Sequence, residues 1–177
     1  MNFEAALKEL LKHEGGFVNH PKDPGGMTNL GVTRRVWERW VGRRVGEQEM
    51  RSLTPEKVAP LYKQRYWDKV HAYELPPALA LQVFDFGVNA GPRRAIQTLQ
   101  KSVGTLADGL FGPMTRRAVN KYIDQYGLVK LVEVYASHRM RFYMSLKTFR
   151  YFGKGWSRRV DEVLKLGRKW AQSNETS

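Results

Sequence analysis

The chain contains no cysteine, so disulfides and thiolate metal sites are excluded and the redox compartment is left open. It has no run of about 18 apolar residues, the length an apolar membrane-crossing helix needs. The opening stretch, MNFEAALKELLKHEGG, mixes acids with lysines and lacks the apolar core of a secretory leader. There is no P-loop, no dinucleotide fingerprint and no motif supporting a serine nucleophile. His13-Glu14 is followed by Gly-Gly-Phe, so the second histidine of an HExxH zinc protease is missing. No metal and no cofactor is expected. Acidic residues are scarce in one half only. Through Asn89 there are 13 Lys/Arg against 11 Asp/Glu; from Ala90 onward there are 17 against 6, within a formal net charge of +13. Such an excess suits a polyanionic partner, whether nucleic acid, an anionic membrane or an anionic cell-wall polymer, and charge alone does not choose among them.

What is present supports a real core: 177 residues, 42% of them hydrophobic, suffice for one compact domain or two packed lobes. The stretch with most chemical content is HEGGFVNHPKDPGGMTNLGVT, His13 to Thr33. An amphipathic helix over residues 3–14, with Asn2 as N-cap, runs into it. Phe3, Leu7, Leu10 and Leu11 share a face. Glu14 lies about three turns after Phe3, on the same stripe. A carboxyl group held there is partly desolvated, which favours the protonated form that a general acid requires. Gly15 and Gly16 are expected to stop the helix and to permit positive φ or a close backbone approach. Asp-Pro-Gly-Gly marks a turn, and the segments around it suit a small β-hairpin within residues 17–33. This loop can hold Asp23 and Thr28 opposite Glu14. For Asp23 taken alone, turn capping is the ordinary explanation.

Further along, Thr33 caps a short helix to about Val41, residues 42–53 read as irregular, and Thr54-Pro55 starts another helix. Pro60 predicts a kink or a later start. Tyr62, Tyr66 and Trp67 suit either the core or a sugar-stacking wall. Glu74-Leu75-Pro76-Pro77 marks a boundary between a first lobe, residues 1–75, and a second, residues 76–172. Residues 77–90 predict a central buried helix on which Asp85 and Asn89, four positions apart, need polar partners or face a cleft. Helices are expected from Pro92 to the stop at Gly104, after Pro113, and over residues 128–146. A break at Tyr151 to Gly155 is expected before a last basic helix, with a frayed tail from residue 172 or 173 onward.

Glu14 with Asp23 and Thr28 forms the strongest constellation, because glycoside hydrolysis commonly sets two carboxyl groups across the scissile bond. The residues here also resemble a family. HEGGF, the D-x-G-G-x-T run at Asp23 to Thr28, LGVT at Leu30 to Thr33 and Tyr66-Trp67-Asp68 are similar to elements of glycoside hydrolase family 108 muramidases. DFGVNAGPRRAIQTLQ and DGLFGPMT resemble the peptidoglycan region usually paired with them. The resemblance implies a mainly α, lysozyme-like fold of two lobes with a groove between them. It implies a phage endolysin or related lysin that cleaves the β-1,4 bond between N-acetylmuramic acid and N-acetylglucosamine. It makes Glu14 the general acid, with Asp23 and Thr28 holding the attacking water, and Asp85, Asn89 and Tyr66 are candidates for the groove wall. The expected partner is the peptidoglycan strand, met by a monomer. Anionic outer-membrane lipid is a second candidate through the basic C-terminal helices, and nucleic acid is not expected. Such an enzyme waits in the host cytoplasm and reaches the wall through a holin-like partner. The alternatives are a lytic transglycosylase, which uses one Glu and no attacking water, and a non-catalytic wall- or nucleic-acid-binding module.

Overall fold

The computed structural model describes residues 3–22 and 26–175. Asn2 and Asp23 therefore lie outside the described residues. The expectation of a mainly α chain with a small β element holds. The chain forms two compact units, Met1–Arg65 and Tyr66–Ser177.

In the first unit, α1 (Phe3–Leu11) buries Phe3, Ala6, Leu7 and Leu10 and packs against α4 (Pro55–Tyr62), whose inner side is Val58, Leu61 and Tyr62. Three short strands follow α1: β1 (Val18–Asn19), β2 (Met27–Asn29) and β3 (Val32–Thr33). They form an antiparallel sheet in the order β1-β2-β3, with Thr28 opposite both Val18 and Thr33. The 17–33 region is thus a three-stranded sheet rather than a single hairpin. The Thr33 hydroxyl accepts the Val36 N–H at 3.2 Å and opens α2 (Arg34–Val41), which stops at left-handed Gly42.

The segment read as irregular contains a short helix, α3 (Glu47–Arg51), too brief to show helical periodicity. Glu49 fixes it by accepting from Trp37 Nε1 at 3.1 Å and from both terminal nitrogens of Arg43. Thr54 caps α4 through the Lys57 N–H, with Pro55 in the first turn. Pro60 does not end α4. The helix passes into a wider π-type turn, Lys63–Trp67, three residues beyond the position where the proline removes a donor.

The second unit is built on α5 (Pro77–Ala90), buried from Ala78 through Gly87. Around it pack α6 (Pro92–Val103), α8 (Leu128–Met144) and α9 (Phe149–Glu175), while α7 (Pro113–Tyr126) lies against α6 and α8. Gly104 ends α6 in the left-handed conformation, as expected. Phe84 meets Trp67 edge-on at 5.3 Å, which puts Trp67 in the core. The break expected at Tyr151 to Gly155 is absent. The α9 helix begins at Phe149 and runs through both glycines and the expected frayed tail to Glu175. Gly153 has a packing reason: a Cβ there would lie 2.8 Å from the Phe149 ring, which folds back across the helix one turn later. Among the described residues no helix is long and apolar enough to cross a membrane.

Candidate active site

Glu14 does not sit on an α-helix. After Leu11 the N–H groups of Lys12, His13 and Glu14 bond to carbonyls three residues back, at 3.2, 3.0 and 3.2 Å. The helix tightens into 3₁₀-type turns before the chain leaves it, a common way of satisfying terminal carbonyls. Glu14 is half-buried at the end of this tightened turn.

The two glycines that follow do not do what the sequence suggests. Neither Gly15 nor Gly16 has positive φ, and a Cβ on either would meet nothing within 4 Å. The close approach is made by Gly31 instead. A Cβ there would lie 2.5 Å from Tyr62 Oη, 2.9 Å from Glu14 Oε2 and 3.0 Å from Glu14 Cδ. The Glu14 carboxyl group and the Tyr62 hydroxyl therefore share the space that a side chain at position 31 would fill.

The β2–β3 turn creates that space. Asn29 pairs with Val32, leaving Leu30 and Gly31 as a two-residue loop with φ of 51° and 75°. Positive φ at both positions is the pattern of a type I′ hairpin turn, whose twist matches the flanking strands. Glycine takes it freely, whereas leucine is strained there. The neighbours hold that strain from both sides. The Leu30 N–H donates to the Gly15 carbonyl at 3.0 Å, and the Leu30 carbonyl accepts the Tyr62 hydroxyl at 2.7 Å. Asn29 anchors the base of the hairpin, donating through Nδ2 to the Met50 carbonyl at 2.9 Å, at the end of α3. Backbone strain held in this way is characteristic of sites where position matters.

Thr28 is half-buried, between the buried Met27 and Asn29. Side chains alternate along a strand, so its hydroxyl lies on the face of β2 opposite the core. His20 N–H donates to the Gly26 carbonyl at 3.1 Å, so the chain on either side of the Asp23 loop is tied together. Phe17 is held on the α3 end by Arg51, whose guanidinium carbon stands 4.1 Å from the ring centre.

The candidates for a groove wall fare differently. Tyr66 is half-buried within the π-type turn. Asn89 is exposed at the end of α5 and donates to the Tyr143 hydroxyl at 3.1 Å. Asp85 is fully buried and belongs to an ion network rather than to a surface. Arg139 Nη2 reaches its Oδ2 at 2.7 Å and Arg159 Nη2 reaches its Oδ1 at 2.8 Å. Both oxygens are occupied by charged donors, so no face is left for a sugar hydroxyl. Burial pushes the Asp85 carboxyl up, but the two guanidiniums outweigh it and hold the group below the usual carboxylate range. Sequence reasoning had also missed Tyr62 and Gly31 as parts of the Glu14 site. The LGVT run is a signal for Gly31; Tyr62 reads as core or sugar wall, and nothing local ties it to Glu14.

Comparison with known proteins gives the family of the chain. Residues 7–91 match the family described as Glycosyl hydrolase 108, and residues 94–161 match the one described as Predicted Peptidoglycan domain. No curated protein matches the chain. Among solved structures, Brucella abortus SagA is 37% identical with a TM-score of 0.81, over 96% of this chain and 95% of that one. The fold is the mainly α, lysozyme-like one. The Glu14 turn, the sheet and α4 fall in the first match, and α6 to the start of α9 fall in the second. The chain thus belongs to the glycosyl hydrolase 108 family, as a peptidoglycan-degrading glycosidase joined to a peptidoglycan domain.

Proposed function

We propose that the chain is an N-acetylmuramidase that hydrolyses the β-1,4 bond between N-acetylmuramic acid and N-acetylglucosamine. Glu14 protonates the glycosidic oxygen as the bond breaks. A water held by Asp23 and Thr28 attacks the anomeric carbon of the oxocarbenium-like transition state. Inversion is the preferred outcome, which requires carboxyl groups roughly 6.5–9.5 Å apart so that water fits between substrate and base. The observation that carries this reading is the placement of the Glu14 carboxyl against the bare Cα of Gly31. A carboxyl group held in a fixed position beside a strained turn is suited to meeting one defined substrate atom. In this reading the protein acts as a monomeric phage endolysin, kept in the host cytoplasm until the membrane is opened. Its partners are the glycan strand and anionic lipid.

The test is Glu14→Gln on purified peptidoglycan, with mass analysis of the fragments. Turnover should fall by at least 10²-fold, the typical contribution of general acid catalysis, with folding and wall binding retained. Wild-type fragments should carry reducing muramic acid ends. Anhydromuramic ends would replace hydrolysis with the transglycosylase reaction. Undiminished lysis by the folded variant would remove Glu14 from the chemistry.

A further inference from the structure

The start of α9 presents a surface that the reaction does not use. Between Glu133 and Asp161 the sequence has no carboxylate, yet it carries Arg139, Arg141, Lys147, Arg150, Lys154, Arg158 and Arg159. Arg139 and Arg159 are committed to Asp85. The other five form no ion pair among the described residues. Large apolar side chains stand among them: Tyr151 is 69% exposed, Met144 62% and Phe152 56%.

These rings rest on a firm base. Phe152 lies 5.6 Å from Trp156, and Trp156 stacks on Tyr143 at 4.8 Å and 21°. The Tyr143 hydroxyl in turn accepts from Arg139 Nη2 at 3.1 Å, which ties the aromatic cluster to the buried ion network. Alongside runs an open groove of about 840 Å³, lined by Phe149, Tyr151, Arg150, Lys154, Arg158 and Asp161.

The chemistry of this face discriminates among polyanions. A sugar site pairs a flat ring with amides or carboxylates that bond to hydroxyls. The groove lining has no amide side chain and one carboxylate against three cations. Single-stranded nucleic acid needs aromatic faces on which successive bases stack. Tyr151 and Phe152 are consecutive on a helix, about 100° apart, and their rings meet edge-on at 66° with centres 6.5 Å apart. They offer two diverging wedges rather than a stacking track. Apolar and aromatic tips beside lysine and arginine suit the headgroup layer of a lipid bilayer, where stems and rings enter and charges meet phosphate.

We propose that the face formed by Arg150, Tyr151, Phe152, Lys154 and Arg158 docks on an anionic phospholipid surface. This localises the lipid partner of the functional reading to one face and does not depend on the role of Glu14.

The test is flotation of the full chain with phosphatidylglycerol-containing and with phosphatidylcholine vesicles, at low and high salt. Parallel binding assays use isolated peptidoglycan and a single-stranded oligonucleotide. Binding should favour the anionic vesicles and weaken with salt. Each cation near such a surface contributes about five-fold, so Arg150→Gln/Lys154→Gln/Arg158→Gln should weaken binding on the order of 100-fold. Tyr151→Ser/Phe152→Ser should also weaken it, with the chain still folded in thermal melts because both rings are largely exposed. Hydrolysis of soluble wall fragments should be unaffected in both variants. Equal affinity for the two vesicle types would overturn the proposal. So would variants that lose peptidoglycan or oligonucleotide binding while keeping the vesicles.

Discussion

Replacing Gly31 with alanine should damage both turnover and stability, and a second glycine isolates the reason. Gly31 and Gly42 have nearly the same φ, 75° and 74°, but a Cβ at Gly42 meets nothing within 4 Å. Gly42→Ala therefore reports the left-handed strain alone, about 1–2 kcal/mol. Gly31→Ala carries that strain plus two collisions, with Tyr62 Oη at 2.5 Å and Glu14 Oε2 at 2.9 Å. A comfortable carbon–oxygen contact is about 3.3 Å, so the hydroxyl must retreat by roughly 0.8 Å and the carboxyl by roughly 0.4 Å. Losing the bond from Tyr62 to the Leu30 carbonyl adds on the order of 1 kcal/mol. A misplacement of about 1 Å costs about 10²-fold in rate, so shifting the proposed acid by roughly 0.4 Å should lower kcat several-fold. The assay pairs thermal melts with initial rates on purified peptidoglycan. Gly42→Ala should lose stability at full rate, whereas Gly31→Ala should lose both. Adding Tyr62→Phe removes the tighter collision, so Gly31→Ala/Tyr62→Phe should regain stability relative to the sum of the single changes. Its rate should stay low because the Glu14 contact persists. A Gly31→Ala enzyme with wild-type kcat would refute the reasoning.

Other parts of the structure give further expectations. Asp85→Asn leaves the buried Arg139 and the half-buried Arg159 without their counter-charge, which should cost about 3–5 kcal/mol and lower the melting temperature by roughly 10 °C. The same carboxyl sets a pH dependence. Its folded-state pKa is depressed, so its stabilisation is present above the unfolded value of about 3.9 and disappears as pH falls through the folded value. The wild-type melting temperature should thus fall more steeply than that of Asp85→Asn as pH drops below about 4; parallel curves would show that Asp85 is not the titrating group. Thr33→Ala removes the hydroxyl that accepts the Val36 N–H and should destabilise by about 1 kcal/mol in denaturant titrations, with the m-value unchanged.

Punctuation was legible in the sequence, whereas distant partners were not. The caps at Thr33 and Thr54, the prolines opening α5, α6 and α7 and the left-handed stop at Gly104 all follow from local chemistry. The buried α5 follows from its apolar run. Local rules misread Gly153 and Gly155 as a break, because a glycine that makes room for a folded-back ring looks like one that ends a helix. They also gave Gly15 and Gly16 the close approach that belongs to Gly31. That assignment needed Tyr62, whose hydroxyl reaches the turn from 32 residues away. A lone Asp85 on a buried helix announced that partners must exist, but Arg159, 74 residues further on, carried no mark distinguishing it from its exposed neighbour Arg158.

The two polar arrangements differ in what holds them, and the difference bears on the site. Asp85 is held by charge, so its network responds to protons. The Glu14 carboxyl lies beside a turn held by the two peptide bonds flanking Leu30 and by a phenol. Bonds from backbone and phenol fix this turn in one shape, which the general acid proposed for Glu14 requires of its surroundings. The strain at Leu30 fits the same logic. A relaxed Asn-Gly turn would be more stable locally, but leucine held at φ 51° by a bond on each side cannot relax without releasing Gly15 or Tyr62. The turn beside Glu14 is therefore held by its own backbone bonds and one phenol.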